Sequence, residues 1–253
     1  RKTMKKTILL LALLALAGCS IKEDRSACPA WLKIELSGKS LYLAGDRPVE
    51  VVVSDSSGAD TLVLDSGAPA AWMAVERGPV QVESLLDNGA RTQVAWGSQS
   101  DSLWAAFDRL ALEREEESHR VDLHKRFATV WFIFDSSSQT DGRELFLEGS
   151  VAGTDITRMS PVAGDFRCRL DVRERTAAIR LPAQRSGSPL TLRCFTDGEQ
   201  EWEWSLSEEL AFAGYDWDAE DLEDARVFIH LAPLGFRIEI GNWRDGGEVT
   251  GMV

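Results

Sequence analysis

Polar and apolar residues alternate along most of this chain with a period of two. Trp31-Leu32-Lys33-Ile34-Glu35-Leu36 sets the pattern, and Thr92 to Trp96, Phe166 to Val172 and Phe236 to Ile240 repeat it. Successive side chains of a strand face opposite sides of a sheet, so each run predicts a strand with one buried face. Shorter β-rich runs cover Val49–Val53, Thr61–Leu64, Val80–Leu85, Ala128–Phe134, Ala177–Leu181 and Val227–Leu231. Turn formers separate them: Ser57-Gly58, Asp87-Asn88-Gly89, Asp141-Gly142, Ser186-Gly187 and Asp197-Gly198. Many short strands at roughly ten-residue spacing predict sandwiches or barrels, not alternating strand–helix units. The chain reads as mostly β. One segment departs from the pattern. Leu103, Phe107, Leu110 and Ala111 sit at helical spacing behind Ser100 or Asp101, either of which suits a helix N-cap. A short helix or a surface strand both fit there. The acidic run Glu113–Ser118 follows and sets the expected domain boundary near residue 118, dividing the chain into β-domains over 30–118 and 119–253. No internal repeat is visible.

The first residues obey a different pattern. Lys5 and Lys6 precede an unbroken apolar run from Ile8 to Ala17, and Leu16-Ala17-Gly18-Cys19 ends it. A bilayer-spanning helix needs about 20 apolar residues, so this run is an export segment and not a span. Its form is that of a bacterial lipoprotein signal peptide. The expectation is removal of residues 1–18 (1–3 being an upstream remnant and Met4 the start), lipidation at Cys19, and a tether over 19–29. Several acyl chains, at about 0.8 kcal/mol per buried methylene, anchor durably where one chain is marginal. The expected location is the outer membrane, with a soluble body held by one end.

Composition changes the picture in two respects. At 44% hydrophobic residues the chain is globular. Its formal net charge of −13 becomes −17 once Arg1, Lys2, Lys5 and Lys6 are gone. Such acidity excludes a nucleic-acid partner, whose phosphates need a basic footprint, and disfavours lying flat on anionic lipid. Beyond Cys19 and Cys28, Cys168 shares its face with Phe166, Leu170 and Val172, and Cys194 shares parity with Leu190 and Leu192. An exported compartment permits a Cys168–Cys194 disulfide, and two core thiols fit the pattern as well.

Catalytic and metal-binding signatures are missing from the sequence pattern. His119, His124 and His230 have no zinc spacing with each other or with cysteine and read as surface or structural residues. No nucleophile elbow, phosphate loop or dinucleotide fingerprint occurs. Asp216-x-Asp218-x-Glu220 opens like a calcium loop, but Asp221 stands where glycine is needed and Val227 where glutamate is needed. No cofactor, metal or small-molecule substrate is expected. Nine tryptophans are many for this length. Trp31, Trp72, Trp96, Trp131 and Trp243 lie in strand-like runs and read as core or interface anchors. Trp202 and Trp204 alternate with Glu201 and Glu203, which puts both indoles on one face: a core face or a ligand-stacking platform.

Cys19-Ser20-Ile21-Lys22-Glu23-Asp24-Arg25-Ser26-Ala27-Cys28-Pro29 resembles the mature start of Bacteroidetes-type fimbrial anchor lipoproteins, the minor-fimbrium anchor-subunit family. Arg120-Val121-Asp122-Leu123-His124-Lys125-Arg126-Phe127-Ala128 resembles the family's opening of a second domain. Leu222-Glu223-Asp224-Ala225-Arg226-Val227 and Gly235-Phe236-Arg237-Ile238-Glu239-Ile240-Gly241-Asn242-Trp243 resemble its late strands. Lys22-Glu23-Asp24 also resembles the signal that sends such lipoproteins to the cell surface. The resemblance implies two transthyretin-like, Greek-key β-sandwich domains, no catalysis, and fimbrial stalk subunits as partners. It further implies joining by strand addition, in which one subunit's extended segment completes its neighbour's sheet. With the lipid at the N-terminus, the C-terminal tail is the expected donor. Val249 and Val253 have the parity to fill pockets, with Met252 beside them. A final strand pairing within its own domain, or a frayed terminus, fits that tail equally. The alternative function is glycan binding through Trp202 and Trp204.

Overall fold

Alternation becomes burial in β1 (Ala30–Leu36): Ala30, Leu32, Ile34 and Leu36 are buried, while Trp31, Lys33 and Glu35 line the opposite face. The structure is a computed structural model and describes residues 28–86, 93, 97–135, 142–171, 175–231 and 234–240.

After β1 come α1 (Gly38–Ala44), β2 (Val49–Ser54), β3 (Ala59–Leu64), β4 (Ala70–Val75), β5 (Gly78–Leu86), β6 (Trp104–Leu112), β7 (Glu116–Val121) and β8 (His124–Lys125). Two sheets result, ordered β4-β1-β7 and β3-β2-β5-β6-β8. Their inner faces meet over Leu32, Ile34, Val49, Val51, Val80 and Val82. Neighbouring strands are antiparallel except β1 and β7, which run parallel. Helix α1 starts at the cap Ser37, whose hydroxyl accepts from the Ser40 N–H at 3.1 Å. Ser40 is fully buried; its hydroxyl donates to the Val121 carbonyl at 2.9 Å and accepts from the Leu123 N–H at 2.8 Å, tying α1 to the segment after β7.

The second sandwich comprises β9 (Phe127–Phe134), β10 (Arg143–Asp155), β11 (Ser160–Leu170), β12 (Thr176–Pro182), β13 (Leu190–Thr196), β14 (Glu199–Ser205), α2 (Leu206–Phe212), β15 (Ala225–Leu231) and β16 (Leu234–Ile240). Its sheets are ordered β11-β10-β13-β14 and β12-β9-β15-β16. Val130, Phe132, Leu145, Leu147, Ile179 and Leu192 fill the space between them, each within 1% of full burial. Burying one such side chain stabilises by roughly 1.5–3 kcal/mol. The mostly-β, two-sandwich architecture is the one expected.

The structure decides one open reading and moves one boundary. The segment with helical spacing is strand β6, paired to β5 over its whole length. The expected boundary near residue 118 falls inside β7, which belongs to the first domain, and β8 pairs with β6, so the first sandwich extends to Lys125. The acidic run is the turn into an edge strand: Glu117 accepts from the N–H groups of Glu113 and Arg114 at 2.9 and 3.0 Å. Charge there guards a sheet edge and does not mark a linker. Finally, the predicted strand at Thr92–Trp96 lies outside the described residues except for Gln93, which bridges to Gly153.

Candidate functional site

The domains meet where His124, Lys125 and Arg126 of the crossing chain face the acidic segment between α2 and β15. Asp221 collects the junction. Lys39 Nζ of α1 lies 2.5 Å from its carboxylate, the Lys125 N–H donates to it at 2.7 Å, and His124 Nδ1 stands 3.4 Å away. Burial alone would push the Asp221 carboxyl up; Lys39, the Lys125 N–H and His124 outweigh it and hold it below the usual carboxylate range. Asp224 takes Lys125 Nζ at 2.5 Å and the Thr129 N–H at 2.7 Å. Arg126 is nearly buried and donates to the carbonyls of Ala219, Glu220 and Met159. Burial pushes its guanidinium down, against the pull of Asp221, Asp218 and Glu220.

Beside this junction lies a cavity of about 560 Å³ lined by Lys39, Phe107, Asp108, His124, Arg126 and Glu220 among others. Its charges largely answer each other: Lys39 with Asp221, His124 with Glu220 at 3.4 Å, and the nearby His119 with Asp108 at 3.1 Å. A nucleophile–base pair is not found there, and no group of His, Cys, Asp and Glu that could hold a metal ion exists among the described residues. The chemistry of the junction is docking.

A second contact reaches across. The Gly97 N–H donates to Arg167 of β11 at 2.8 Å, and the Ser100 N–H to Arg180 of β12 at 2.9 Å. Arg180 returns its N–H to Gln99 and its guanidinium to the Ser102 hydroxyl, at 3.0 and 2.6 Å. First-domain chain thus lies against β11 and β12, both edge strands of the second sandwich. On the opposite side of that sandwich the edges are β14 and β16.

The sequence-predicted site residues are distributed as follows. Cys19 and the tail residues Val249, Met252 and Val253 lie outside the described residues, as do Trp96 and Trp243. Cys168 and Cys194 are free thiols. The disulfide gives way to two core thiols, because β10 runs between them: Cys168 pairs with Leu147 and Cys194 with Leu145. Two interstrand spacings of roughly 4.8 Å exceed disulfide reach. Burial pushes the Cys194 thiol up to about 11, with Glu201 adding to the shift, so it is an inert thiol. Trp202 and Trp204 pair with Cys194 and Leu192 and pack half-buried against the core, which makes theirs the core face. Trp31 and Trp72, read as core or interface anchors, are not core: they are 50% and 51% exposed. Nothing local in the sequence marks Lys39, Arg126, Asp221 and Asp224 as a junction. Complementary charge was the available signal, basic His124-Lys125-Arg126 against acidic Asp216–Asp224.

No protein-family model and no curated protein sequence matches this chain. Solved structures do. The fimbrial anchor protein Mfa2 from Porphyromonas gingivalis superposes with a TM-score of 0.60 at 16% identity, covering 85% of this chain and 98% of that one. A protein from Bacteroides thetaiotaomicron described as polysaccharide-binding gives 0.63 at 13%, covering 89% and 98%. One from Bacteroides ovatus described as an adhesin gives 0.59 at 10%, covering 89% and 96%. At these identities the likeness is one of fold, and the fold is the one the family resemblance implied.

Proposed function

We propose that this chain is a non-enzymatic outer-membrane lipoprotein that holds the base of a fimbria and takes part in its assembly or length control. The observation that carries this reading is the order of parts: a lipobox at Cys19, then two β-sandwiches in series. A link that transmits tension needs an attachment at one end, rigid bodies between, and a joint at the other. Sandwich strands held by ladder bonds supply the bodies, and the clasp of Lys39, Lys125 and Asp221 fastens one to the next. The fold shared with a fimbrial anchor protein supports the reading. So does the charge balance, which leaves anchoring to the lipid.

The joint to a stalk subunit is strand addition at the C-terminal side. Segment 97–102 occupies one side of the second sandwich, whereas β16 leads directly into the tail with Val249, Met252 and Val253. An open edge with alternating pockets and an extended tail are the two halves such a joint needs. Glycan binding through Trp202 and Trp204 loses its platform, since both indoles sit on the core side of β14.

Cells carrying Cys19→Ala are expected to make a folded protein and to release fimbriae into the medium. Fimbriae retained at the wild-type level would sink the anchoring reading. Deleting residues 248–253 tests the joint separately: retention of fimbriae by that variant would move the joint to another edge.

A further inference from the structure

The outer face of the β4-β1-β7 sheet is amphipathic in a way the fold does not require. Trp31 and Trp72 are each about half exposed, and neither has a ring or cation partner among the described residues. Register places them together. Trp31 of β1 stands between Ala74 and Glu116, and on the next outward row Lys33 stands between Trp72 and Ser118. The two indoles are therefore diagonal neighbours across one strand pair, within reach of each other's rings. One row further, Glu35 lies beside Arg120 at 3.5 Å and holds Lys33 at 2.7 Å. An apolar strip along β4 and the start of β1 thus borders a strip of hydrogen-bonding groups along β7.

We propose that this face binds a neutral polysaccharide, with sugar rings stacked on Trp31 and Trp72 and their hydroxyls hydrogen-bonded by Lys33, Glu35, Ser118 and Arg120. Three observations choose that occupant. The first is size. Two half-exposed indoles offer roughly 200 Å² of apolar surface, far below the roughly 800 Å² a protein partner covers, and about what one or two sugar rings conceal. The second is shape: the C–H groups on a pyranose face carry partial positive charge and suit the negative face of an indole, while its hydroxyls lie at the rim. The third is charge. Lys33 and Arg120 are matched by Glu35 and by Glu116 beside Trp31, so this patch is locally balanced on a protein of formal charge −13, and it recruits neither anions nor cations.

The second domain shows the same face partly covered. Trp131 of β9 occupies the position of Trp31, opposite Ala178 of β12 as Trp31 is opposite Ala74 of β4. There the sheet is widened by β16, Arg237 caps the Phe228 ring at 4.3 Å, and Trp131 is only 38% exposed. Among the described residues the first domain has no such cover.

The proposal stands apart from fimbrial anchoring, and its test uses no fimbriae. The full chain, extracted in mild detergent, is run through native gels containing laminarin, mannan, xylan or soluble β-1,4-glucan, and titrated with the retarding polysaccharide by tryptophan fluorescence. At least one neutral polysaccharide is expected to retard it. Trp31→Ala and Trp72→Ala should each weaken binding at least tenfold, with unchanged far-UV circular dichroism, while Trp131→Ala binds as wild type. Absence of retardation by every polysaccharide, or equal binding by the Trp31 and Trp72 variants, overturns the proposal. A parallel arm embeds the protein in vesicles of brominated phosphatidylcholine. If bromine quenching falls in the Trp31→Ala, Trp72→Ala double variant and no polysaccharide binds, the face rests on the bilayer and the glycan assignment is wrong.

Discussion

In the first sandwich β1 lies between β4 and β7, and in the second β9 lies between β12 and β15; the facing sheets run β3-β2-β5-β6 and β11-β10-β13-β14. Each of the first seven strands has its counterpart eight strands later, down to the parallel pairing of first and last strand in both. The additions differ. Helix α1 follows the first strand and is sealed by the buried Ser40, whereas α2 follows the sixth and buries Leu206 and Leu210. Strand β8 extends one sheet of the first domain and β16 the other sheet of the second. The β10–β11 pair is bulged and closes around Gly149, while the β2–β3 pair is regular. Identical topology with no visible sequence repeat shows that strand order here follows burial pattern and turn placement. What is specific to each domain sits at its rims and outer faces, where function is built.

The comparison treats the domains as separate cores, and Phe132→Ala tests that most severely. Removing a fully buried ring costs about 3–5 kcal/mol. Amide exchange should accelerate in β9, β12 and β15 while β1, β2 and β5 keep their protection. Equal acceleration in both domains would show a single cooperative unit.

Gly149→Ala comes next. A Cβ there would collide with the Phe166 ring and crowd Leu190, an overpacking cost of about 1–3 kcal/mol. Denaturant midpoints should fall for the second domain alone. An unchanged midpoint would mean that β10 can shift as freely as regular β2. Ser40→Ala sharpens the other side: it strips the Leu123 N–H of its partner and leaves the Val121 carbonyl with only the Ser37 N–H, for about 1–2 kcal/mol in the first domain. Equal loss in both domains would mean the α1 seal also supports the second sandwich.

The smallest effects belong to the junction. Lys39→Met breaks an exposed pair and should cost at most about 1 kcal/mol, with the tertiary fold intact by near-UV circular dichroism. A larger loss would mean that neither domain is stable without the clasp. Because the Asp221 carboxyl is held below its ordinary value, its contribution is fully present above about pH 3.9 and is lost as pH falls through its lower folded value. Exchange of the Lys125 and Leu222 amides should stay flat from pH 7 to 5, after correction for intrinsic rates, and rise only in stronger acid. Loosening already between pH 7 and 5 would mean that the Asp221 carboxylate does not hold the clasp.

Alternating segments such as Trp31–Leu36 and Phe166–Leu170 were legible as strands because a period of two has one structural meaning. Leu103–Ala111 stayed open between helix and strand because apolar residues on both faces of a strand can fall at helical intervals by chance, and only pairing with β5 decides between the two. Glu113–Ser118 misled because a charged edge strand and a polar linker have the same composition. The candidate sites fared worse. Which tryptophans face water depends on the partner strands: Trp204 and Trp72 both sit in strand-like runs, yet one packs on a core and the other does not.

The sequence by itself determined the mostly-β class, about half of the strands and the expectation of a lipidated start, since each depends on local period or on a contiguous motif; the two-sandwich expectation came with the family resemblance. Tertiary structure alone decided that β10 separates Cys168 from Cys194, that Asp221 clasps two domains, and that Trp31 and Trp72 share an open face. These are properties of residues brought together from distant positions. Pairing register, which no short stretch of chain encodes, is what brings them together.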